Sequence, residues 1–222
     1  PLYNEVKWME IGVNDGASFS FIPVDLDKPI VAYGTSICQG ACASRPGMAW
    51  TNILQRRMGR NVLNLGFSGN AYFEKGIVDL IAGIDAKVYI LDGMPNSYSL
   101  DAESLRDTVS KAVRQLRAKR PETPILLVDH LGFPHGKANP NMAKAEKHVH
   151  SVLKETYGLL ADEGIEGLHY LTYDELAIPL IPDQVRILQH GQVAGDRRGG
   201  DLKLVADLPG GFASTAQQLE NL

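Results

Sequence analysis

The feature that most constrains this chain is the recurrence of five short apolar runs: Ile30 to Tyr33, Val62 to Leu65, Val88 to Leu91, Ile125 to Val128 and Leu168 to Leu171. They are rich in β-branched and aliphatic residues and nearly continuous, the pattern of strands covered on both faces. Between them lie segments with helical spacing. Leu105, Val109, Ala112, Val113 and Leu116 share one face, and Met142, Ala145, Val149, Val152 and Leu153 share another, with charges opposite. Strand and helix in alternation imply parallel βαβ units, because a parallel neighbour is reached only by a crossover. The expected fold is α/β: a doubly wound, flavodoxin-like, five-stranded parallel sheet of order 2-1-3-4-5 in three α/β/α layers. Its switch point falls between the first and third strands, and ligands of such sheets bind at the carboxyl ends of the strands there.

The ends of the chain do not follow the alternation. EVKWMEIGV followed by ASFSFIPV reads as a hairpin ahead of the first strand. Thr172 followed by Glu175 offers a capping box after the fifth run, and a last helix is expected from Ala213 to Leu222. The segment from Pro179 to Pro209 is rich in Gly, Asp and Arg without a clear period, and reads as a loop too long for a compact domain to carry without a functional reason. Pro1 stands where an initiator Met would, so more chain is expected upstream and localisation stays open.

Composition narrows the partners. The chain is 44% hydrophobic, enough for a real core. Its 22 Lys and Arg against 26 Asp and Glu leave a net charge of −4, which offers no electrostatic footprint for nucleic acid. No apolar run approaches the roughly 18 to 20 residues of a membrane span. Cys38 and Cys42 lie close together beside an expected helix start, a poor spacing for a disulfide, and read as small buried thiols.

Three loops leave the carboxyl edge at the expected switch point. After the first strand comes Gly34-Thr35-Ser36, with a helix soon after, so Ser36 stands where N–H groups and the helix dipole favour developing negative charge. Gly66-Phe67-Ser68-Gly69-Asn70 follows the second strand, and its glycines let backbone N–H groups approach a ligand closely. Asp92-Gly93-Met94-Pro95-Asn96 follows the third, with the Asn96 amide able to donate to an oxyanion. Taken singly, these are a capping serine, a glycine turn and a turn asparagine. Together at one crevice, a hydroxyl, a glycine N–H and an amide are the constellation that acyl transfer needs.

These blocks resemble the SGNH or GDSL-like hydrolases. GTSICQGACASRPGMAWTNIL is similar to the family's first block, with Ser36 in the nucleophile's place. NLGFSGN is similar to the second, which implies an oxyanion-hole N–H from Gly69, and LDGMPN to the third, which implies a side-chain donor from Asn96. The resemblance runs from about Lys28 to Leu176 and extends to a subgroup in which the hydrolase domain follows a small β-rich domain. It implies that residues 1–27 are the C-terminal remnant of that preceding domain and that 28–222 form the hydrolase domain. It further implies a serine esterase acting on acyl esters, most often acetyl groups on carbohydrate or other small substrates, with no metal or organic cofactor.

The family's last element, Asp-x-x-His followed by Pro and Asp-Leu, is altered. DLKLVADLPGGF places Asp201 in the aspartate's position, but Leu204 stands where the histidine belongs and Val205 where the proline belongs. Without a base a serine hydroxyl is a poor nucleophile. His190, in the irregular loop, is the candidate replacement; His130, beside Asp129 at the end of the fourth strand, lies one strand further from Ser36. His148 and His150, two apart on a helix, point in different directions and cannot share a metal, and Glu166 with His169 spans the start of a strand rather than a helix face. Two alternatives to an active esterase follow from the altered element: a catalytically impaired binding protein on the same fold, or an enzyme whose C-terminal segment has been changed.

Overall fold

Five strands form the framework: β1 (Ile30–Gly34), β2 (Val62–Gly66), β3 (Val88–Asp92), β4 (Ile125–Val128) and β5 (Leu168–Leu171). The structure is a computed structural model that describes residues 5–23, 26–133, 136 and 138–172. All strand pairs are parallel and the order is β2-β1-β3-β4-β5, as the alternation of runs and helices requires. Gly34 of β1 is in register with Gly66 of β2 and Asp92 of β3, so the three loops of interest leave the sheet side by side.

Helices cover both faces. The short α1 (Ser36–Gln39) and α2 (Trp50–Met58) lie on one; α3 (Lys75–Ala82), α4 (Ala102–Lys119) and α5 (Pro140–Asp162) lie on the other. Strand side chains divide between them by the two-residue period. Val31, Tyr33, Tyr89, Leu91, Ile125 and Leu127 pack with α3 to α5, while Ile30, Ala32, Val88, Ile90 and Leu126 join Cys38 and Leu54. On α4 the predicted stripe, Leu105, Val109, Ala112, Val113 and Leu116, is buried throughout. Each such Leu or Val contributes about 1.5–3 kcal/mol. The helix begins where Asp101 accepts from the Ser104 N–H at 2.9 Å, and α5 begins at Asn139, which caps it ahead of Pro140. No helix among the described residues is long and apolar enough to cross a membrane.

Three expectations need correction. Residues 5–23 contain a turn, with Ala17 N–H donating to Asn14 O at 3.0 Å, but no strand pairing, and among the described residues no third strand or helix buries the apolar face of the hairpin pattern. Trp8 is 76% and Phe21 82% exposed. β2 is not covered on both faces along its length, because it is the edge strand, and Leu63 is 38% exposed. Of the two thiols only Cys38 is buried; Cys42 is exposed in a positive-φ turn that carries it away from the core. The capping glutamate Glu175, the 179–209 loop and the 213–222 helix lie outside the described residues.

The tightest packing is at the carboxyl edge. A Cβ on Gly66 would run into the Gln39 backbone at its N and Cα atoms. Backbone cannot swing aside as a side-chain tip can, so Gly66→Ala should destabilise the fold by about 1–3 kcal/mol. Urea unfolding reads this directly, and an unchanged midpoint would show that α1 does not rest on β2.

Candidate active site

Ser36 is the first residue of α1, two positions past the end of β1, and is half-buried. Thr35 caps the turn, its hydroxyl accepting from the Ile37 N–H at 3.3 Å, and Gly40 ends it at φ 102°. The helix has only 4 residues, so its dipole is small and the expected dipole support for Ser36 reduces to local N–H groups. What holds the turn in place is Asn64 of β2. Its amide donates to Cys38 O at 2.9 Å and to Thr51 Oγ1 at 2.8 Å, and its oxygen accepts from the Gly66 N–H at 3.0 Å. Asn64 was not singled out from sequence; a polar residue inside an apolar run was the available signal.

Gly69 lies in the loop after β2 at φ +71°, with open space where a Cβ would stand. The Phe67 N–H donates to Gly34 O at 2.8 Å and continues the β1–β2 ladder one residue beyond the strand. Asn96 sits in the 3-10 helix Met94–Ser99 after β3, and its Nδ2 donates to Asn70 O at 2.8 Å. That bond joins the second and third loops and fixes the orientation of the amide, since a carbonyl requires the NH₂ group opposite it. A second N–H remains on Nδ2. The N–H groups of Ser36 and Gly69 and the Ser36 hydroxyl find no hydrogen-bond partner among the described residues. The structure thus gathers Ser36, Gly69 and Asn96 on neighbouring loops of one edge, linked through Gly34, Phe67 and Asn70.

Asp201 and His190, the expected acid and base, lie outside the described residues, as does His135. Three of the four described histidines are engaged elsewhere. His148 Nε2 pairs with Leu100 O at 2.8 Å. His150 Nδ1 lies 2.6 Å from Asp129 Oδ1, and the same carboxylate accepts from the His130 N–H at 2.8 Å and the Tyr170 hydroxyl at 2.5 Å. This Asp–His pair anchors the end of β4 to α5 and β5; no hydrogen bond links it to Ser36. His130 accepts the Gly132 N–H on Nδ1 at 2.7 Å, so its proton sits on Nε2. Burial, helped by nearby His150, pushes His130 down to about 4, so the ring is neutral near pH 7.

Asp92 is a further titratable group at this edge. It ends β3, is 8% exposed and lies under α1 beside Cys38 and Gly34. Burial pushes its carboxyl up to about 8, so it is mostly protonated at pH 7. A neutral acid avoids the large cost of an isolated buried carboxylate. Burial, with Asp92 close by, also raises the Cys38 thiol.

A parallel sheet of this order with these loops at its switch point is the three-layer fold of the SGNH hydrolases. The model of the GDSL-like lipase/acylhydrolase family matches residues 27–187, and the chain belongs to that family. Among solved structures, a candidate GDSL-like lipase from Bacteroides ovatus is 36% identical with a TM-score of 0.63, over 67% of this chain and 43% of that one. SsfX3, a salicylyl-acyltransferase from a tetracycline biosynthetic pathway, is 22% identical with a TM-score of 0.53, over 73% and 47% of the two chains. A family two carbohydrate esterase from Clostridium thermocellum, solved with cellohexaose, is 14% identical with a TM-score of 0.53, over 69% and 56%. The last two share the fold. The chain spans 43% to 56% of the length of these three proteins. No curated protein matches it.

The folded chain holds a proton on Asp92 that the unfolded chain, with an ordinary value of 3.8, releases. The contribution of Asp92 to stability therefore falls as pH rises from about 4 to about 8 and levels off above that. Asp92→Asn removes the titrating group, so thermal unfolding of the variant should lose less between about pH 5 and pH 8 than wild type does. Equal losses would show that Asp92 is not held protonated.

Proposed function

We propose that this chain is a serine esterase of the SGNH type, cleaving acyl esters, acetyl esters of carbohydrate or other small alcohols first among them, through an acyl-enzyme on Ser36. The observation that carries the reading is the bond from Asn96 Nδ2 to Asn70 O. It ties the two loops bearing the proposed donors and leaves one amide N–H for an oxyanion. In the proposed reaction Ser36 Oγ attacks the ester carbonyl, and its proton passes to a base. The N–H groups of Ser36 and Gly69 and the free N–H of Asn96 take the charge on the carbonyl oxygen. The alcohol leaves with the proton, and water then cleaves the acyl-serine by the same path in reverse. Asp201 and His190 are proposed as the acid and base. Family membership supports ester hydrolysis. Carbohydrate esters come first because carbohydrate esterases share the fold.

The chain is proposed to consist of a hydrolase domain, 28–222, preceded by 1–27 as the end of a β-rich domain. The exposed Trp8 and Phe21 support this, as side chains that a neighbouring domain would cover. A second reading, a binding protein on the same fold, is favoured by one observation: Leu204 in place of the family's histidine.

Hydrolysis of p-nitrophenyl acetate separates the readings. Wild type should exceed background, Ser36→Ala should abolish the excess, and Asn96→Ala should lower kcat by about 10²–10³. A fluorophosphonate should add one adduct to wild type by intact mass and none to Ser36→Ala. Equal rates for wild type and Ser36→Ala would leave the binding protein. If His190 is the base, His190→Ala should match the loss in Ser36→Ala, because members of one catalytic unit are not additive.

A further inference from the structure

We infer that Tyr33 is a positioning residue for the Gly69 loop, its buried hydroxyl holding the backbone of that loop in a strained form. The inference rests on the esterase reading only where it concerns turnover.

The loop from Phe67 to Glu74 departs from ordinary backbone conformation. Ala71 at φ 76° and Phe73 at φ 60° lie in the left-handed region although neither is glycine, and both are buried. Such residues are costly and persist only where the surroundings over-determine them. One restraint is steric: the chain at Ala71 and Phe73 is pressed against Gly93, where a Cβ would meet the Phe73 ring at 2.6 Å and Ala71 O at 2.7 Å.

The other restraint is Tyr33. It belongs to β1, three residues before Ser36, and is 0% exposed. Its ring pairs with those of both Phe67 and Phe73, with centroids at 6.1 and 5.7 Å, at the two ends of the segment that carries Gly69. Its hydroxyl accepts from the Phe73 N–H at 2.8 Å and donates to Glu74 Oε2 at 2.8 Å. The bond to Phe73 is made by a strained residue's own backbone. Removing the acceptor leaves a buried N–H unsatisfied. Loss of a buried hydrogen bond is comparable to the strain it holds, so residues 71–73 relax and carry the Gly69 N–H out of place. Burial, then the bond to Glu74, raises the phenol above its ordinary 10.0, so it remains a donor throughout the neutral range.

Tyr33→Phe keeps the ring and removes only the hydroxyl. The matched control is Tyr89→Phe, which removes a hydroxyl bonded to Ile84 O at 2.5 Å, near the opposite end of the sheet. Both variants are compared for kcat and KM on p-nitrophenyl acetate, for melting temperature, and for amide exchange in a peptide covering 67–74. Tyr33→Phe should lower kcat by about 10- to 100-fold with little change in KM, and speed exchange in 67–74. Tyr89→Phe should lower the melting temperature without either effect. A wild-type kcat in Tyr33→Phe overturns the inference. If wild type itself has no Ser36-dependent turnover, the esterase reading fails alone. Exchange then decides: acceleration specific to Tyr33→Phe upholds the role in holding the loop, and unchanged exchange overturns it.

Discussion

Backbone lying directly on backbone at the carboxyl edge is the contact on which the rest of this structure depends. Parallel pairing brings the ends of β1, β2 and β3 into register at Gly34, Gly66 and Asp92, and all three loops must leave through the same narrow strip. A side chain at Gly66 would collide with the Gln39 backbone, and one at Gly34 with Asp92 O at 2.6 Å. Glycine at these positions lets α1 settle on β2 and β3 instead of standing off from them. Ser36 is then placed by the sheet and not by a long helix, whose dipole a four-residue turn does not provide.

Polar groups buried at this edge are handled in different ways. Asp129 stays paired, receiving a backbone N–H, a histidine and a tyrosine hydroxyl. Asp92 has no such set and is neutralised by protonation instead. Tyr33 is satisfied in both directions, as donor and as acceptor. Strained backbone and a neutral buried acid are departures from the rules that the rest of the chain obeys. They cluster around the loops bearing Ser36, Gly69 and Asn96, where a fold that is otherwise locally consistent stores its exceptions.

Much of the framework was legible in advance. The five runs correspond to the five strands, with at most one residue added at the carboxyl end, because an apolar run between turn residues has few other places to go. The α4 stripe was legible because one face of a helix repeats every 3.6 residues. The N-terminal pattern misled because alternation shows that a strand has one apolar face, not that a partner for it is present. Cys42 misled because thiols are usually buried, and a positive-φ turn overrode that tendency. Asn64 and Tyr33 carry no local sign of their roles because each lies within a strand run and looks like part of it, and Asp92, read as the start of the loop after the third strand, carries no local sign of its burial.

The sequence by itself determined the alternation, hence the parallel topology, the switch point and the three loops that meet there. Local periodicity suffices for this, because it encodes which face of each element is buried and the handedness of crossovers does the remainder. Only the tertiary structure decided which groups touch across strands: Asn96 on Asn70, Tyr33 on Phe73, Asp92 beneath α1. Those pairings depend on strand order, register and loop path together, and a carboxyl's charge depends on what is packed over it. No window of sequence contains that information, since the partners are separated by dozens of residues and joined only by the sheet.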